Sequence, residues 1–435
     1  MSQRSEPSGS RVSITYLASC ALSLLGNSVA GVILPLILLA TTGDALAAGS
    51  LALICAVPQF LIGLLGGAVI DRFNRRNVSV ISDIMSAISV ALLPVVDMLW
   101  GLSFGWFVAL GLLGAIGDIP GMTARNALLP AVCEHDGRNM QRFMGLTQSL
   151  SSLTVIIGPA LAAFLMTVIG DSKALWFTSA MSLSAALVTL TLPRSIGLIG
   201  QGEHAKGTTK EAKDEFSKNI VQHMGKSLAA GVRVLFKSDT LLRSSMLLTL
   251  GIVMIMGAFQ GLVLPVHFTE LMSPELLGYV LSGMSAGMLV GSLAYSALAH
   301  RLKRRTWFVV SLVGMAAGLI IMGLLPGFPI LVSGAVLLGM FAGPASSLMG
   351  FFVMDRIPAE NRGAALGTQN SLVLVAAPVA VFIASAIVEI WGKSMGGIVL
   401  AILWVAVSVW AILSPGLRDL NDMKTGQTDP EIKDS

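Results

Sequence analysis

Long apolar stretches, separated by short polar segments, run along almost the whole chain. Each has about the 20 residues that a helix needs to cross a bilayer. The last has no polar face, so it does not fit a helix at the surface of a soluble protein. The pattern predicts an all-α membrane protein with twelve transmembrane helices, near 14–40, 49–70, 78–99, 104–123, 143–169, 174–193, 245–268, 275–299, 307–325, 328–353, 366–389 and 395–414.

The basic residues give the predicted helices a direction. If the spans alternate from a cytoplasmic N-terminus, all of the 28 Lys and Arg residues except Lys173 and Lys393 lie on the cytoplasmic side. Cytoplasmic loops of membrane proteins carry such an excess of positive charge. We therefore predict a multi-pass protein of the inner (plasma) membrane with both termini in the cytoplasm. The first apolar run is too long for a cleaved signal peptide, which is the alternative at this end of the chain.

Composition agrees with this class of protein. Hydrophobic residues make up 54% of the chain and charged residues only 12%, whereas soluble domains carry about 25% charged residues. The mean hydropathy is +0.80. The net charge of +4 would suggest a nucleic-acid partner in a soluble protein. Here topology accounts for it, so we expect the lipid bilayer as partner and no nucleic acid.

The two halves of the chain resemble each other. Residues 71–76, after the second predicted span, correspond to residues 300–305 after the eighth, and a polar segment separates the halves. In that segment, apolar residues at helical spacing over 215–237 predict an amphipathic helix, packed either on the membrane or on the protein's own cytoplasmic face. The predicted division is a six-helix bundle (1–193), a central loop (194–240), a second six-helix bundle (241–417) and a cytoplasmic tail (418–435). Parallel six-helix repeats are a transporter plan, with the substrate site between them.

The most informative motif is residues 67–76, GAVIDRFNRR. It resembles the G-x-x-x-D-R-x-G-R-R signature of the major facilitator superfamily, with Asn74 in place of the second glycine. Asn tolerates a left-handed backbone, so we expect the tight turn to persist. Its basic cluster is expected to contact anionic headgroups, and Asp71 to face the start of the eleventh span. The resemblance implies a conformational switch made of Gly67, Asp71, Arg72, Arg75 and Arg76.

Other segments resemble the branch of that superfamily that contains macrolide efflux proteins and siderophore exporters. They are residues 23–27, residues 125–130 and the helix motif Gly158-Pro159. The resemblance implies proton-coupled efflux (antiport) of small amphipathic compounds such as drugs. A siderophore or metabolite exporter, or an importer, of the same fold is the alternative. We expect a monomer that binds a small-molecule substrate and protons and uses the proton gradient without a cofactor.

Three other motifs do not predict an enzyme. Residues 283–287 match G-x-S-x-G, but a nucleophile elbow requires a strand-to-helix turn, and this segment lies inside a span. Small residues at a helix contact explain it better. An intramembrane serine hydrolase with His267 as base is a remote alternative. Residues 225–227 and 392–394 lack the earlier glycine of a phosphate-binding loop, and no His/Cys cluster has metal-site spacing.

Polar residues inside the spans are the remaining candidates. Asn27, Gln148 and Gln260 either line a substrate cavity or join helices. Asp83 and Asp118 are the candidates for proton coupling. For Asp83, near the inner end of the third span, pairing with local arginines is the alternative. Asp118 lies deep in the fourth span, where a charged Asp costs about 2.5–3.5 kcal/mol, and glycines share its face. An unpaired carboxylate there would carry a proton in one state and release it in the other. A packing role, satisfied by a neighbouring hydroxyl or arginine, is the alternative.

Overall fold

The computed structural model describes residues 9–70, 74–197, 229, 231–298, 301, 303–356 and 362–418. Within these ranges the chain is helical and has no strand. Ten helices precede the final helical stretch: α1 (Gly9–Thr42), α2 (Ala45–Ile70), α3 (Arg75–Trp100), α4 (Phe104–His135), α5 (Met140–Ile169), α6 (Asp171–Leu190), α7 (Thr240–Glu270), α8 (Leu276–Leu298), α9 (Arg304–Gly323) and α10 (Phe328–Arg356).

The final stretch, Arg362–Leu413, holds two helices. Its apolar part has 49 residues and would measure about 74 Å if it were straight, more than twice the thickness of a bilayer core. It turns at Gly392, whose φ of 81° lies in the region that glycine adopts without strain. The helices on either side are α11 (362–391) and α12 (393–413). The predicted all-α fold with twelve spans is therefore confirmed.

Helix α7 contains a π-helical turn at Phe259–Val263. Pro265 follows directly and has no N–H to donate to the turn before it. The backbone accommodates it by widening, so that the Leu264 N–H bonds to the Phe259 carbonyl, five residues back. Such single wide turns interrupt helices frequently at functional sites, and this one faces the middle of the bundle.

An even number of spans places the start of α1 and the end of α12 at the same end of the bundle, called here the terminal end. The opposite, distal end carries the short turns between α1 and α2 and between α11 and α12. The side chain of Arg305, at the start of α9, joins elements of the terminal end. It donates to the carbonyls of Ile412 (2.8 Å) and Leu417 (2.6 Å).

The buried apolar residues show where the first six and last six helices meet. One large cluster continues from the distal parts of α1 and α4 into α7 and α11. At the terminal end the first six helices have their own cluster, around Tyr16, Leu128 and Val132, without a described residue of the last six. The last six have another there, around Leu242 and Met246. Among the described residues, the two groups thus share one apolar cluster that reaches the distal end, and each has a separate cluster at the terminal end.

The central loop lies mostly outside the described residues. Of the predicted amphipathic helix, the described part ends in a π-helical turn at Val234–Ser238. Leu235, one of its predicted apolar positions, is fully buried and packs with Leu242, Met246 and Ala365. Val232 is 41% exposed. At Leu235 the segment therefore packs on the protein itself, as one of the two alternatives expects. The predicted domain boundaries stay a prediction.

Candidate functional site

A cavity of about 420 Å³ lies in the middle of the bundle. Helices α1 to α4 form most of its wall, while α7 contributes Gly261 and α11 contributes Val381. Most of the wall is apolar, as in many small-molecule sites. The side chains in it that carry a polar or sulfur atom all come from the first four helices: Asn27, Cys55, Gln59, Ser86, Ser89 and Asp118.

Asp118 is held at this cavity by close packing of its helix. Gly111 faces Cys55 of α2, and Gly114 faces Ser89 of α3. Because these glycines have no side chain, α4 approaches both neighbours closely enough to direct Asp118 into the cavity. Its carboxylate makes no hydrogen bond or ion pair with any described residue. An acid in this position can exchange a proton with the cavity or attract a cationic group from it.

Asp83 is in a different environment. It lies between α1, α3 and α4, where one carboxylate oxygen accepts from Arg125 at 2.6 Å and the other from Ser23 at 3.0 Å. Arg125 also donates to the Ser23 hydroxyl at 2.8 Å. The side chains of Arg125 and Asp83 are only 11% and 7% exposed. The pair neutralises itself inside the first half, whereas Asp118 has no such partner among the residues that the structure describes.

The other predicted cavity residues are divided. Asn27 is exposed to the cavity near Asp118. Gln148 does not line it but is exposed on α5. Gln260 lies in the π-helical turn next to Gly261, and its amide nitrogen donates to the Met284 sulfur at 3.7 Å. Of the three, only Asn27 lines this cavity.

Ser86 and Ser89 were missed as cavity residues. They follow Ser82 at intervals of four and three residues, so the three serines share one face of α3. That face meets α4, where Gly114, Gly117 and Gly121 approach the serines or their neighbours. A serine stripe on one predicted span and a glycine stripe on the next are the signal that would have paired the two helices.

Part of the predicted switch motif lies outside the described residues, namely Asp71 and Arg72. Gly67 is in the last turns of α2. The prediction of a left-handed turn at Asn74 is wrong. The φ of Asn74 is −62° and its backbone is extended. Its side chain instead accepts from the N–H groups of Arg76 (3.1 Å) and Asn77 (3.4 Å). Asn74 is thus the N-cap of α3, a role in which Asn is strongly preferred.

Arg75 and Arg76 contact the protein itself, and the expected contact of the basic cluster with lipid headgroups stays a prediction. Arg75 donates to the carbonyl of Ala127 in α4 at 3.1 Å. Arg76 is 6% exposed and donates to the carbonyl of Leu190, the last residue of α6. Carbonyls at the end of a helix lack internal partners and carry partial negative charge, which favours such a cation. These two arginines fasten helices of the first half to each other.

The Gly158-Pro159 motif lies where α5 contacts two helices. A side chain at Gly158 would collide with Ser28 of α1, and the Pro159 carbonyl lies against Gly278 of α8. The G-x-S-x-G segment also packs closely, because a side chain at Gly287 would meet the Val336 carbonyl of α10. Ser285 donates to the Leu281 carbonyl of its own helix at 3.0 Å. Nδ1 of His267 is buried without a hydrogen-bond partner among the described residues, so no serine–histidine pair is formed there.

Comparison with known proteins gives matches over most of the chain. A family model described as Major Facilitator Superfamily matches residues 16–271 and 246–430. The multidrug efflux pump Tap of Mycolicibacterium fortuitum is 25% identical over 399 residues, which are 91% of this chain and 94% of that protein. Macrolide efflux protein A of Streptococcus pyogenes is 22% identical over 385 residues, 85% and 88% of the two chains. The crystal structure of the nucleoside transporter NupG superposes with a TM-score of 0.67 at 13% identity, covering 92% of this chain and 98% of that one.

Proposed function

The chain belongs to the Major Facilitator Superfamily, and on that premise we propose that it exports small amphipathic compounds, antibiotics among them, in exchange for protons. The observation that carries the proposal is the unpaired Asp118 in a central, mostly apolar cavity of the described residues. The similarity to a multidrug efflux pump and a macrolide efflux protein over most of both chains supports export of drugs. The relatives and the solved structure are transporters, which favours a transporter over a hydrolase.

The efflux relatives support the direction of transport, and the sidedness proposed for the bundle indicates the side to which the cavity is open. The excess of Lys and Arg belongs to loops of the terminal end, which we assign to the cytoplasm by the positive-inside rule. In the described ranges, the helix groups have separate apolar clusters at that end and share one at the distal end. For an exporter, this is the conformation in which a compound enters the cavity from the cytoplasm, and the compound leaves after the distal contacts open. Reporter fusions after Arg194 and Lys393 test the assignment, with a cytoplasmic signal expected only from the first.

The cavity wall defines the compounds that would fit. Leu34, Leu51 and Val381 offer apolar surface, while Asn27 and Gln59 offer hydrogen bonds. A volume of about 420 Å³ is within the usual range of small-molecule sites. An apolar body with one or two hydrogen-bonding groups matches this wall. No cofactor is needed, since the proton gradient supplies the energy.

Proton coupling is assigned to Asp118 and not to Asp83. Asp118 meets the cavity without an ionic partner among the described residues, so it can take up and release a proton as its surroundings change. Asp83 would have to break a bond to Arg125 and another to Ser23 before it accepted a proton. Arg125 is thus a fixed counter-charge that keeps the proton site at one acid.

A transport assay tests the proposed function. Cells that lack their own efflux pumps should accumulate several-fold less of an amphipathic antibiotic, such as a macrolide, when they produce this protein. Dissipating the proton gradient should restore accumulation. Increased accumulation in producing cells would indicate an importer. Unchanged accumulation across a panel of antibiotics and dyes would contradict drug export.

A further inference from the structure

Within the part of the chain that the structure describes, a side-chain hydrogen bond joins the two helix groups. The hydroxyl of Ser282, on α8, donates to the carbonyl of Ile156, on α5, at 2.6 Å. Ser282 lies in the second turn of α8 from its distal start. The other contacts described between the groups are between apolar or small residues, such as Gly49 of α2 against Ser385 and Phe382 of α11. This bond therefore fixes the relative position of the two helices, whereas the apolar contacts around it depend only on close packing.

The sequence of α5 makes that carbonyl available. Pro159 lies inside the helix, three residues after Ile156. Pro159 has no N–H for the Val155 carbonyl, and its ring crowds the turn that also contains Ile156, so the helical hydrogen bonds of that turn are weakened and a carbonyl there can accept a donor from another helix. The acceptor is thus produced by the helix itself. The donor comes from the opposite group.

Two glycines set the distance between the helices. A side chain at Gly278, one turn before Ser282, would collide with the Pro159 carbonyl and would lie 2.8 Å from the Ala163 side chain. A side chain at Gly158 would collide with Ser28, the neighbour of Asn27 on α1. Helix α5 is consequently packed closely against a helix of the cavity wall on one side and against α8 on the other.

We propose that Ser282 is a positioning residue that latches the distal end shut while the cavity is open towards the terminal end. The proposal rests on the proposed transport function, because transport requires the two groups to separate at the distal end and break this bond. Removing the hydroxyl stabilises the distally open state relative to the closed one. The change is in the balance of two conformations and not in the binding site.

The same helix provides a matched control. Ser285 is also partly buried on α8, but its hydroxyl donates to its own helix at Leu281. Ser282→Ala and Ser285→Ala each delete one hydroxyl from α8, and only the first deletes a contact between the groups. Ser282→Thr keeps a hydroxyl at the position and serves as the conservative rescue.

A native cysteine in the cavity can report whether the distal end is open or closed. Cys55 lines the cavity, whereas Cys20 and Cys133 are only 5% and 4% exposed and can be replaced by Ala. In oriented membrane vesicles of the full chain, a membrane-impermeant maleimide added on the distal side should label Cys55 about fivefold faster in Ser282→Ala than in the parent, the effect of one lost hydrogen bond. Ser285→Ala and Ser282→Thr should label at the parent rate.

The outcomes separate the latch from the transport function, because labelling needs no substrate. Faster distal labelling in Ser282→Ala alone supports the latch even if no exported drug is found. Equal distal labelling in both alanine variants overturns it, whatever the transport assay gives. If Ser282→Ala is poorly produced, Gly278→Ala is measured in its place, because a methyl group there moves α8 away from the same carbonyl. Parent-rate labelling in that variant overturns the latch as well.

Discussion

The first six and the last six helices share a plan but differ in what their interiors contain. The first six hold Asp83, Asp118 and Arg125 away from the helix ends. In the described part of the last six, charged side chains lie within about one turn of a helix end, as Arg243 and Glu270 do. The polar groups of the cavity follow the same division. One half therefore carries the chemistry of the site, and the other forms an apolar wall against it.

In the interior of the last six helices, glycines allow neighbouring helices to pack closely. Helices α8 and α10 approach until the backbone of one meets glycines of the other. Side chains at Gly287 and Gly291 would meet carbonyls of α10, and side chains at Gly339 and Gly343 would meet carbonyls of α8. Small residues allow such an approach in membranes, where packing and not water exclusion holds helices together. The difference teaches that an internal repeat can keep its helices while only one copy keeps a site.

The largest expected effect is that of Asp118→Asn, which removes the ionisable group from the half that carries the site. Drug accumulation in producing cells should rise to the level of cells without the protein, because the variant cannot release a proton. Binding of the drug, measured on purified protein, should persist. Asp97→Asn is the control, since Asp97 lies near the distal end of α3 and accepts from Ser172 at 2.8 Å. Transport against a gradient by the Asp118 variant would assign this acid a packing role.

The next effect tests whether the second acid of that half is structural. Asp83→Asn leaves the Arg125 charge buried without its ionic partner, which should lower the free energy of unfolding by about 3–5 kcal/mol. Thermal unfolding of the protein in detergent measures this. A double variant, Asp83→Asn with Arg125→Gln, should regain part of the loss. Normal stability with loss of proton coupling in the single variant would move the proton site to Asp83.

A smaller effect is expected in the half that forms the wall. Gly339→Ala forces a methyl group against the Met284 carbonyl and should cost about 1–3 kcal/mol of stability. Gly350→Ala, on the same helix, places its methyl group in open space and should change stability by less than about 0.5 kcal/mol. Equal losses in the two variants would show that the contact between α8 and α10 does not determine the stability of this half.

The smallest effect concerns what the halves have in common. Arg76 fastens the end of α6, and Arg305 fastens the end of α12. Arg76→Gln and Arg305→Gln should each lower the free energy of unfolding by about 1.5 kcal/mol, the lower end of the range for hydrogen bonds from a charged donor. Arg142→Gln, at an exposed position of α5, should have no effect. Unequal losses of stability for Arg76 and Arg305 would mean that the two arginines do not play equivalent roles in the two halves.

The sequence sufficed for the parts of the structure that depend on local pattern. The apolar stretches located the spans. The turn at Gly392 lies between the predicted spans 366–389 and 395–414, as the pattern of apolar stretches requires. The sequence indicated an arginine partner for Asp83 but not that it would be Arg125, because 42 residues separate the two and only the approach of α3, α4 and α1 brings them together. The N-cap role of Asn74 was missed for another reason: Asn suits both a left-handed turn and a helix start, and only the backbone angles distinguish them.

The turns of the distal end are short, and none is longer than the five residues 271–275. The turns at Gly170 and Gly392 are single residues. Such turns give a protease or an antibody almost no extended chain to bind, because both need an exposed segment of several residues. They also keep the distal ends of neighbouring helices, such as α11 and α12, close together. The distal surface of the protein therefore has little extended chain to which another protein could bind. An inhibitor would have to bind in the cavity.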